Sequence, residues 1–291
     1  INLKKKQIAL TLILTIFSNL KNTSANTHSP NIKKSKAFIL DMDGVLRRGF
    51  TAIDGAKEFI AWLEKNNKAT LILTNECRYS EKKLREDLKK MAINYPDNFP
   101  IYSAAMAMRD FFKKRLKLTK KTYCCIIGEE GLFYHMSEVQ NKNLILTRAL
   151  PDKKEKNYDL YLIFGSVEQI RMNDLETARR WIKAGAKTLL TSPDSSDPSS
   201  KGDQLIGMPG HMLHMLKKQA PTKAYNTGKP NPSVLEKAIS ILRKKDSSLR
   251  RKDILFVGDS YETDMKIAFE AKINTSLVLS GNSSYETIQK E

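Results

Sequence analysis

The chain has 291 residues, of which 50 are Lys or Arg and 32 are Asp or Glu, so its formal net charge is +18 at pH 7. At about 100 to 200 residues per domain, this length accommodates one large domain or two ordinary ones and excludes a peptide-sized or disulfide-stapled scaffold. A charged fraction of 28% and an apolar fraction of 41% are typical of ordinary folded proteins.

The N-terminal segment, residues 1–36, holds seven lysines and no Asp or Glu. Lys4–Lys6, the apolar run Ile8–Phe17 and the small residues Thr23–Ala25 follow one another in the order of a secretory signal. The apolar run is too short to span a bilayer, because a transmembrane helix needs about 17 to 25 residues. A cleaved signal or weak tether and an untargeted extension both fit. We expect a cytoplasmic location, or a periplasmic or secreted one if residues 1–25 act as a signal.

The positive charge outside this segment predicts a lysine-rich solvated surface. A basic field attracts nucleic acid, anionic lipid and anionic small molecules alike. However, the sequence contains neither a nucleic-acid recognition motif nor a basic run interleaved with aromatic residues. We therefore expect no nucleic-acid partner and no stable membrane insertion.

Three cysteines and four histidines argue against a Cys-x-x-Cys metal site and against a histidine-rich metal site or proton relay. Cys124 and Cys125 are adjacent, and the three cysteines form neither a disulfide framework nor a Cys-x-x-Cys motif, so we interpret them as buried thiols. His211 and His214 lie three residues apart on a predicted helix, where a structural role is favoured over a pair of metal ligands.

From residue 36 onwards, buried strands alternate with amphipathic helices. Short apolar runs predict strands at Ala37–Leu40 and Thr70–Leu73, and apolar spacing predicts a helix at Ala56–Glu64 between them. A strand, a helix and a second strand in this order are typical of a parallel βαβ unit. Further helices are predicted at Ser80–Met91 and Ser103–Leu116.

Residues 119–222 have an alternation of their own, which predicts an inserted α/β domain. Its predicted strands are Tyr123–Ile127, Leu160–Phe164 and Lys187–Leu190, and its predicted helices are Leu132–Glu138 and Met172–Ala184. The first unit then resumes with Pro232–Leu242, Ile254–Val257, Asp264–Ala271 and Thr275–Leu279. The predicted organisation is therefore an extension at 1–36, a core formed by 37–118 and 223–291, and an insert at 119–222.

Polar side chains follow three of the predicted core strands. Asp41 and Asp43 follow the first strand, Thr74 and Asn75 follow the second, and Asp259 follows the strand at 254–257. Because ligands of open parallel sheets bind at the carboxyl ends of the strands, we expect these side chains to converge. Converging aspartates repel one another, and a bound hard cation such as Mg²⁺ relieves the repulsion.

Lys229, between Gly228 and Pro230, adds a positive charge to the same predicted pocket. A divalent cation, a lysine and a hydroxyl group together neutralise an anionic substrate, which favours phosphoryl transfer. A carboxylate nucleophile would form an aspartyl-phosphate that water then hydrolyses. A second carboxylate would protonate the leaving group and later deprotonate the water.

Four segments, FILDMDGVL, LILTN, GKPNP and LFVGDSYETD, occur in the order of the four motifs of the haloacid dehalogenase superfamily, which residues 37–291 resemble. More narrowly, the tract from DMDGVLRRG through YSAAMA, IIGEEGL and TSPD resembles the NagD-like phosphatases, the group that includes 4-nitrophenylphosphatase and pyridoxal phosphatase. The resemblance implies an α/β fold: a Rossmannoid parallel-sheet core with a large α/β cap inserted between the second and third motifs.

The resemblance also implies a role for each motif residue. Asp41 would be the nucleophile, and Asp43 would be the general acid and base. Lys229 would bridge the phosphate and the nucleophile. Asp41, the backbone carbonyl of Asp43 and Asp259 would bind Mg²⁺, and Asp264 would orient this metal site. Taken alone, Asp264 also fits the N-cap of the helix that follows it.

The substrate-binding residues come from two parts of the chain. The resemblance assigns the phosphoryl oxygens to Thr74 and Asn75, together with Gly44 in the loop after the first motif. Substrate choice in this family is attributed largely to the cap, which points to Asp194 and Asp197 in the segment TSPDSSDPSSKGD. A turn without a role in binding fits that Ser/Pro/Asp-rich segment equally well.

The chain departs from the family pattern at three positions. Glu76 replaces the Asn or Ser that commonly follows the second motif, Arg47 stands where an aromatic residue is common, and Asp54 replaces a usual proline. A carboxylate at position 76 would either repel an anionic substrate or pair with Arg78. These changes affect the expected substrate preference more than the expected chemistry.

The leading functional hypothesis is a Mg²⁺-dependent phosphomonoesterase acting on a small phosphorylated metabolite, such as a nucleotide, a sugar phosphate or pyridoxal phosphate. An exported acid phosphatase is a second hypothesis, and a non-catalytic small-molecule-binding protein that keeps the fold is a third. The sequence leaves open whether two copies associate through the cap.

Overall fold

The computed structural model describes residues 32–115, 120–194, 197–198, 204–205 and 208–283. The predicted signal-like segment lies outside the described residues. Among the described residues, no helix has the length and apolar character needed to cross a membrane.

The first sheet is parallel and has the strand order β14-β13-β1-β4-β5. Its strands are β1 (Ala37–Leu40), β4 (Ala69–Thr74), β5 (Ile101–Ser103), β13 (Ile254–Gly258) and β14 (Asn274–Leu277). All four residues of β1 are buried, because helices cover both faces of the sheet. Ala37 and Ile39 pack in one hydrophobic cluster and Phe38 and Leu40 in another, as the alternation of side chains along a strand requires.

The α-helices among the described residues confirm the predicted helices to within a few residues. Their bounds are Ala56–Lys65, Glu81–Lys90, Ala104–Arg115, Glu130–Ser137, Met172–Lys183, Pro209–Leu216, Pro232–Lys245 and Lys266–Glu270. His211 and His214 do lie on a helix, and all three cysteines are buried.

The second sheet is also parallel, with the strand order β12-β9-β8-β6-β7. Its strands are β6 (Lys121–Ile127), β7 (Leu144–Leu146), β8 (Tyr158–Phe164), β9 (Lys187–Leu190) and β12 (Ala224–Asn226). Because β12 pairs with β9, this sheet extends beyond residue 222, where the insert was predicted to end. The segment Ala-Tyr-Asn is too short to show a strand pattern, and pairing with β9 alone makes it a strand.

Several short elements were not predicted. A hairpin of β2 (Arg47–Arg48) and β3 (Thr51–Ala52) follows β1, and β10 (Asp197–Pro198) pairs with β11 (Gln204–Leu205). The helix predicted at Asp264–Ala271 begins earlier, with a π-helical turn at Tyr261–Met265. Elements of two to five residues are set by neighbouring chain segments, since they have no hydrophobic period of their own.

The helix Ala104–Arg115 joins the two sheets. Its Met106 and Ala107 pack in a cluster of the first sheet, whereas Met108 and Phe112 pack with side chains of the second sheet, such as Cys124. Both faces of this helix are therefore apolar. The cap packs against the core at this helix.

Candidate active site

The polar residues that follow β1, β4 and β13 lie at one edge of the first sheet, as predicted. One pocket at this edge contains most of the predicted site residues. Its lining consists of Asp41, Asp43, Thr74, Asn75, Glu76, Arg78, Ser166, Asp194, Met208, Lys229, Asp259, Ser260, Thr263 and Asn282. Both the core and the cap contribute to the pocket.

Lys229 lies at the centre of the carboxylates. Its Nζ is 2.8 Å from Asp41 Oδ1 and 2.7 Å from Asp264 Oδ1. The Asn75 side chain fixes the lysine backbone, accepting from the Lys229 N–H at 2.8 Å and donating to its carbonyl at 3.2 Å. Burial alone would lower the pKa of Lys229, but the charges of Asp264 and Asp41 outweigh burial and raise it. The ammonium group therefore stays charged.

Three aspartates cluster at this ammonium group, two of them in contact with it. Asp41, Asp259 and Asp264 are buried, and each offers a carboxylate oxygen within 4.8 Å of the other two. Burial raises the pKa of Asp41 well above its ordinary value, although Lys229 opposes the shift. Burial and the charge of Asp264 raise the pKa of Asp259 to about 7. One lysine does not neutralise three buried carboxylates.

The donor set fits a hard divalent cation. Asp259 Oδ1 is buried and has no hydrogen-bond partner among the described residues, and a buried carboxylate oxygen in that condition is costly. Its other oxygen accepts the backbone N–H of Asn282 at 2.6 Å. Clustered carboxylate oxygens are the ligands that Mg²⁺ prefers. Asp41 and Asp259 are the side chains best placed to hold the cation.

Asp264 contacts both Lys229 and the backbone next to Asp259. Its Oδ1 binds Lys229, and its Oδ2 accepts the backbone N–H groups of Asp259 at 3.1 Å and Ser260 at 3.2 Å. The N-cap of the turn Tyr261–Met265 is Ser260, whose side chain accepts from Thr263 N. The interpretation of Asp264 as a helix N-cap is therefore wrong.

Gly44 allows the loop after β1 to approach Asp259. Its φ is +80°, and a Cβ built on it would lie 2.3 Å from Asp259 Oδ2. Both the left-handed backbone and this close approach require glycine. Gly44 does not line the pocket, although the sequence placed it with the phosphate-binding residues Thr74 and Asn75. Asn282 does line it and was missed, because the sequence after β14 carries no recognised motif.

Asp43 lies in the pocket but is not part of the carboxylate cluster around Lys229. Its Oδ1 accepts from Arg47 Nε at 2.8 Å. Arg47 also reaches Glu76, with Nη2 3.4 Å from Oε2, and Arg78 Nη2 lies 2.6 Å from the same Oε2. Of the two outcomes predicted for Glu76, pairing with Arg78 is the one observed. Burial would raise the pKa of Glu76, but the two guanidinium groups outweigh it, and the pKa is lowered.

The cap closes one side of the pocket. Asp194 Oδ2 accepts from Asn75 Nδ2 at 2.9 Å, and burial raises the pKa of Asp194. Ser166, which follows β8, is 1% exposed, and its Oγ has no partner in the described part of the chain. Asp197 lies in the short strand β10, but its side chain lies outside the described residues.

Two protein-family models match this chain. A family model for haloacid dehalogenase-like hydrolases matches residues 38–142, and a HAD-hydrolase-like model matches residues 226–291. Together the two matches span more than half of the chain and include the residues of all four motifs. The chain belongs to the haloacid dehalogenase-like hydrolases.

The chain is similar in sequence to an acid sugar phosphatase and in fold to NagD and a 4-nitrophenylphosphatase. An acid sugar phosphatase of Staphylococcus epidermidis is 28% identical over 261 residues, which cover 89% of this chain and 92% of the relative. NagD from Escherichia coli K-12 is 24% identical with a TM-score of 0.70, covering 89% of this chain and 93% of its own. A 4-nitrophenylphosphatase from Thermotoga maritima is 22% identical with a TM-score of 0.72, and the match covers 89% of this chain and 91% of the phosphatase. The α/β fold with an inserted cap is thereby confirmed.

Proposed function

We propose that this protein is a Mg²⁺-dependent phosphatase that hydrolyses small phosphomonoesters through a phosphorylated Asp41. The observation that carries the proposal is the position of Lys229, whose Nζ contacts both Asp41 and Asp264 at the carboxyl ends of β1 and β13. A phosphoryl group beside Asp41 would meet this ammonium group at once. Positive charge at that point stabilises the charge that develops on the transferring phosphoryl oxygens.

Asp41 is held in one orientation for the first step. Its Oδ1 accepts the Met42 N–H at 2.7 Å and the Lys229 ammonium at 2.8 Å, which leaves Oδ2 to attack phosphorus. The bond between phosphorus and the ester oxygen breaks as the new bond to Asp41 forms. Protonated Asp43 gives its proton to the leaving alcohol.

The second step regenerates the enzyme. Asp43, now ionised, takes a proton from water, and the water oxygen attacks phosphorus. The bond to Asp41 breaks, inorganic phosphate leaves, and Asp43 is protonated again. Thr74 and Asn75 line the pocket beside Lys229, where they would hold the phosphoryl oxygens in both steps.

The metal would be held by Asp41, Asp259 and the backbone carbonyl of Asp43, with Asp264 orienting the site. When bound, Mg²⁺ supplies the positive charge that the three carboxylates lack and lowers the cost of bringing an anionic ester to them. The structure of a glycerol phosphate phosphatase from Mycobacterium tuberculosis has been solved in complex with magnesium. That phosphatase is 23% identical to this chain with a TM-score of 0.71, and the match covers 88% of this chain and 71% of the phosphatase.

A sugar phosphate or another hydroxyl-rich phosphate ester is the substrate class that we favour. The acid sugar phosphatase relatives support this class. The pocket lining includes Ser166 and Asp194 from the cap and Arg78 from the core. Such groups hydrogen-bond hydroxyls more readily than they pack against a large apolar ring.

The test is phosphate release from sugar phosphates, glycerol phosphate, nucleotides, pyridoxal phosphate and 4-nitrophenyl phosphate. Each ester is assayed with Mg²⁺ and with EDTA, for the wild type and for Asp41→Asn. We expect release that depends on Mg²⁺, is fastest with a sugar or polyol phosphate, and is lost in the variant. Equal release in EDTA would contradict the metal dependence. Binding of Mg²⁺ without release from any ester would support the non-catalytic alternative.

A further inference from the structure

Two of the positions at which this chain departs from the NagD-like pattern are in contact with each other. Arg47, which replaces an aromatic residue, donates from Nε to Asp43 Oδ1 at 2.8 Å, and its Nη2 lies 3.4 Å from Glu76 Oε2. Its guanidinium group therefore connects Glu76 with the carboxylate proposed as the general acid and base. The positions are 29 residues apart in the sequence, so the contact exists only in the folded protein.

The backbone places Arg47 next to Asp43. The chain turns back on itself after β1, so that the Gly44 N–H donates to the Arg47 carbonyl at 2.7 Å and the Arg47 N–H donates to the Met42 carbonyl at 3.1 Å. Asp43 and Arg47 form an isolated β-bridge as a result. The hairpin β2–β3 then continues from Arg47. The arginine side chain thus begins beside the aspartate that it binds.

Burial fixes the far end of the arginine side chain. Arg47 is 2% exposed and Glu76 is 5% exposed. Glu76 is itself held in place, since its Oε1 accepts the backbone N–H groups of Cys77 at 2.9 Å and Arg78 at 2.7 Å. The guanidinium group is therefore bound at two points, to Asp43 and to a Glu76 carboxylate that is itself held by the backbone, and a planar group bound at two points has little freedom to rotate.

One nitrogen of the Arg47 guanidinium group takes no part in these contacts. Its Nη1 is buried and has no hydrogen-bond partner among the described residues. Leaving a buried charged donor without a partner is costly, and an apolar or aromatic side chain would fill the same space without that cost. The hydrogen bonds that the Arg47 side chain does make are those of Nε with Asp43 and of Nη2 with Glu76.

We propose that Arg47 is a positioning residue that holds the Asp43 carboxylate towards the leaving group, and that Glu76 anchors Arg47. This inference rests on the proposed function, since it concerns the proton transfer assigned to Asp43. Arg47 does not line the pocket, whereas Asp43 does. Arg47 therefore acts through Asp43, and its effect is confined to steps in which Asp43 transfers a proton.

The test compares two aryl esters of similar size, 4-nitrophenyl phosphate and phenyl phosphate. Nitrophenolate leaves without protonation, whereas phenolate must be protonated by Asp43 as it leaves. The value of kcat/KM reports the steps up to departure of the leaving group. We expect Arg47→Met to lower kcat/KM for phenyl phosphate by about 10- to 100-fold, part of the usual contribution of a general acid. The value for 4-nitrophenyl phosphate should change by less than about 3-fold.

Two further variants separate positioning from folding. Arg47→Lys keeps a donor beside Asp43 and should recover part of the phenyl phosphate activity. In an Asp43→Asn background, Arg47→Met should change kcat/KM by less than about 2-fold, because a residue that acts only through Asp43 has no effect once Asp43 is removed. The control is Arg85→Met, which breaks a pair with Glu81 on the helix Glu81–Lys90 and should affect both esters equally.

Several outcomes would overturn the proposal. Equal losses on the two esters in Arg47→Met would assign Arg47 to folding or phosphate binding. Full loss by Arg47→Met in the Asp43→Asn background would show that it acts independently of Asp43. If Asp43→Asn does not discriminate between the esters, the acid role of Asp43 in the proposed function is wrong. If the wild type hydrolyses neither ester nor any other phosphate, the function itself is wrong and Arg47 has no proton transfer to support.

Discussion

Two clusters of charged side chains lie side by side at the pocket, and they differ in charge balance. The lysine cluster has three carboxylates and one ammonium group: Asp41, Asp259, Asp264 and Lys229. The arginine cluster has two carboxylates and two guanidinium groups: Asp43, Glu76, Arg47 and Arg78. Burial raises the pKa values of Asp41 and Asp259 in the first cluster, whereas the pKa of Glu76 in the second is lowered.

The difference shows which cluster requires something from solution. Buried charges are tolerated when they are paired and hydrogen-bonded, and in the arginine cluster each carboxylate contacts a guanidinium group. In the lysine cluster, negative charge is in excess and one oxygen of Asp259 has no partner among the described residues. We therefore expect a cation to bind at the lysine cluster, and we propose that the arginine cluster supports Asp43.

The largest expected effect comes from removing the nucleophile of the lysine cluster. Asp41→Asn keeps the shape of the side chain and its acceptor for Lys229, but an amide is too weak a nucleophile to form the acyl phosphate. We expect turnover to fall by more than about 10⁴-fold, measured as phosphate release in Mg²⁺. Circular dichroism should show an unchanged fold, and retained turnover would refute the role of Asp41.

The next effect is stabilisation by the metal. At a Mg²⁺ concentration 100 times its Kd, binding to the folded state adds about 2.7 kcal/mol to the free energy of unfolding. We expect Asp259→Asn to lose most of this gain and Glu76→Gln to keep it, with urea unfolding in Mg²⁺ and in EDTA as the measurement. The clusters would not be distinct if both variants lost the gain to the same extent.

Removing one charge from the arginine cluster should destabilise the protein regardless of metal. Glu76→Gln leaves Arg47 and Arg78 facing a neutral amide in a buried site, and we expect a loss of about 2 kcal/mol in the free energy of unfolding. The loss should be equal in Mg²⁺ and in EDTA. A loss that appears only in Mg²⁺ would place Glu76 in the metal site instead.

The smallest expected effect is the pH dependence of the free energy of unfolding that Glu76→Gln loses. The ordinary pKa of a Glu side chain is 4.5, and folding lowers the pKa of Glu76 below it. The stabilising contribution of Glu76 is therefore present in full above the pKa of the unfolded chain, and it disappears as the pH falls through the lower pKa of the folded protein. The difference in unfolding free energy between wild type and Glu76→Gln should therefore shrink below about pH 4.5. A difference that grows on acidification would reverse the assigned direction of the shift.

The sequence predicted the parts of the molecule in which local pattern and final structure agree. Ala37–Leu40 is an apolar run long enough to be recognised, and its neighbour Asp41 was placed at the correct sheet edge because strand ends in parallel sheets converge. The strand Ala224–Asn226 was assigned to the wrong unit, because its three residues become a strand only by pairing with β9.

The arginine cluster shows the same limit within the site. Glu76 and Arg78 are two residues apart, so their pairing was one of the outcomes that local spacing predicted. The contact of Arg47 with Glu76 was not foreseen, because it depends on the turn after β1 and on the close approach of β1 and β4. Asn282 was missed for the same reason, since only the folded chain brings it to Asp259.

The most direct test of the central claim is to detect the phosphorylated aspartate. Asp43→Asn, which should form the intermediate with 4-nitrophenyl phosphate but hydrolyse it slowly, is mixed with that ester in Mg²⁺, quenched in acid and digested for mass spectrometry. We predict one added phosphoryl group on the peptide that contains Asp41, and none after the same treatment of the double variant Asp41→Asn/Asp43→Asn. Phosphate release by the wild type with no modified Asp41, or with the phosphoryl group on another residue, would contradict the account.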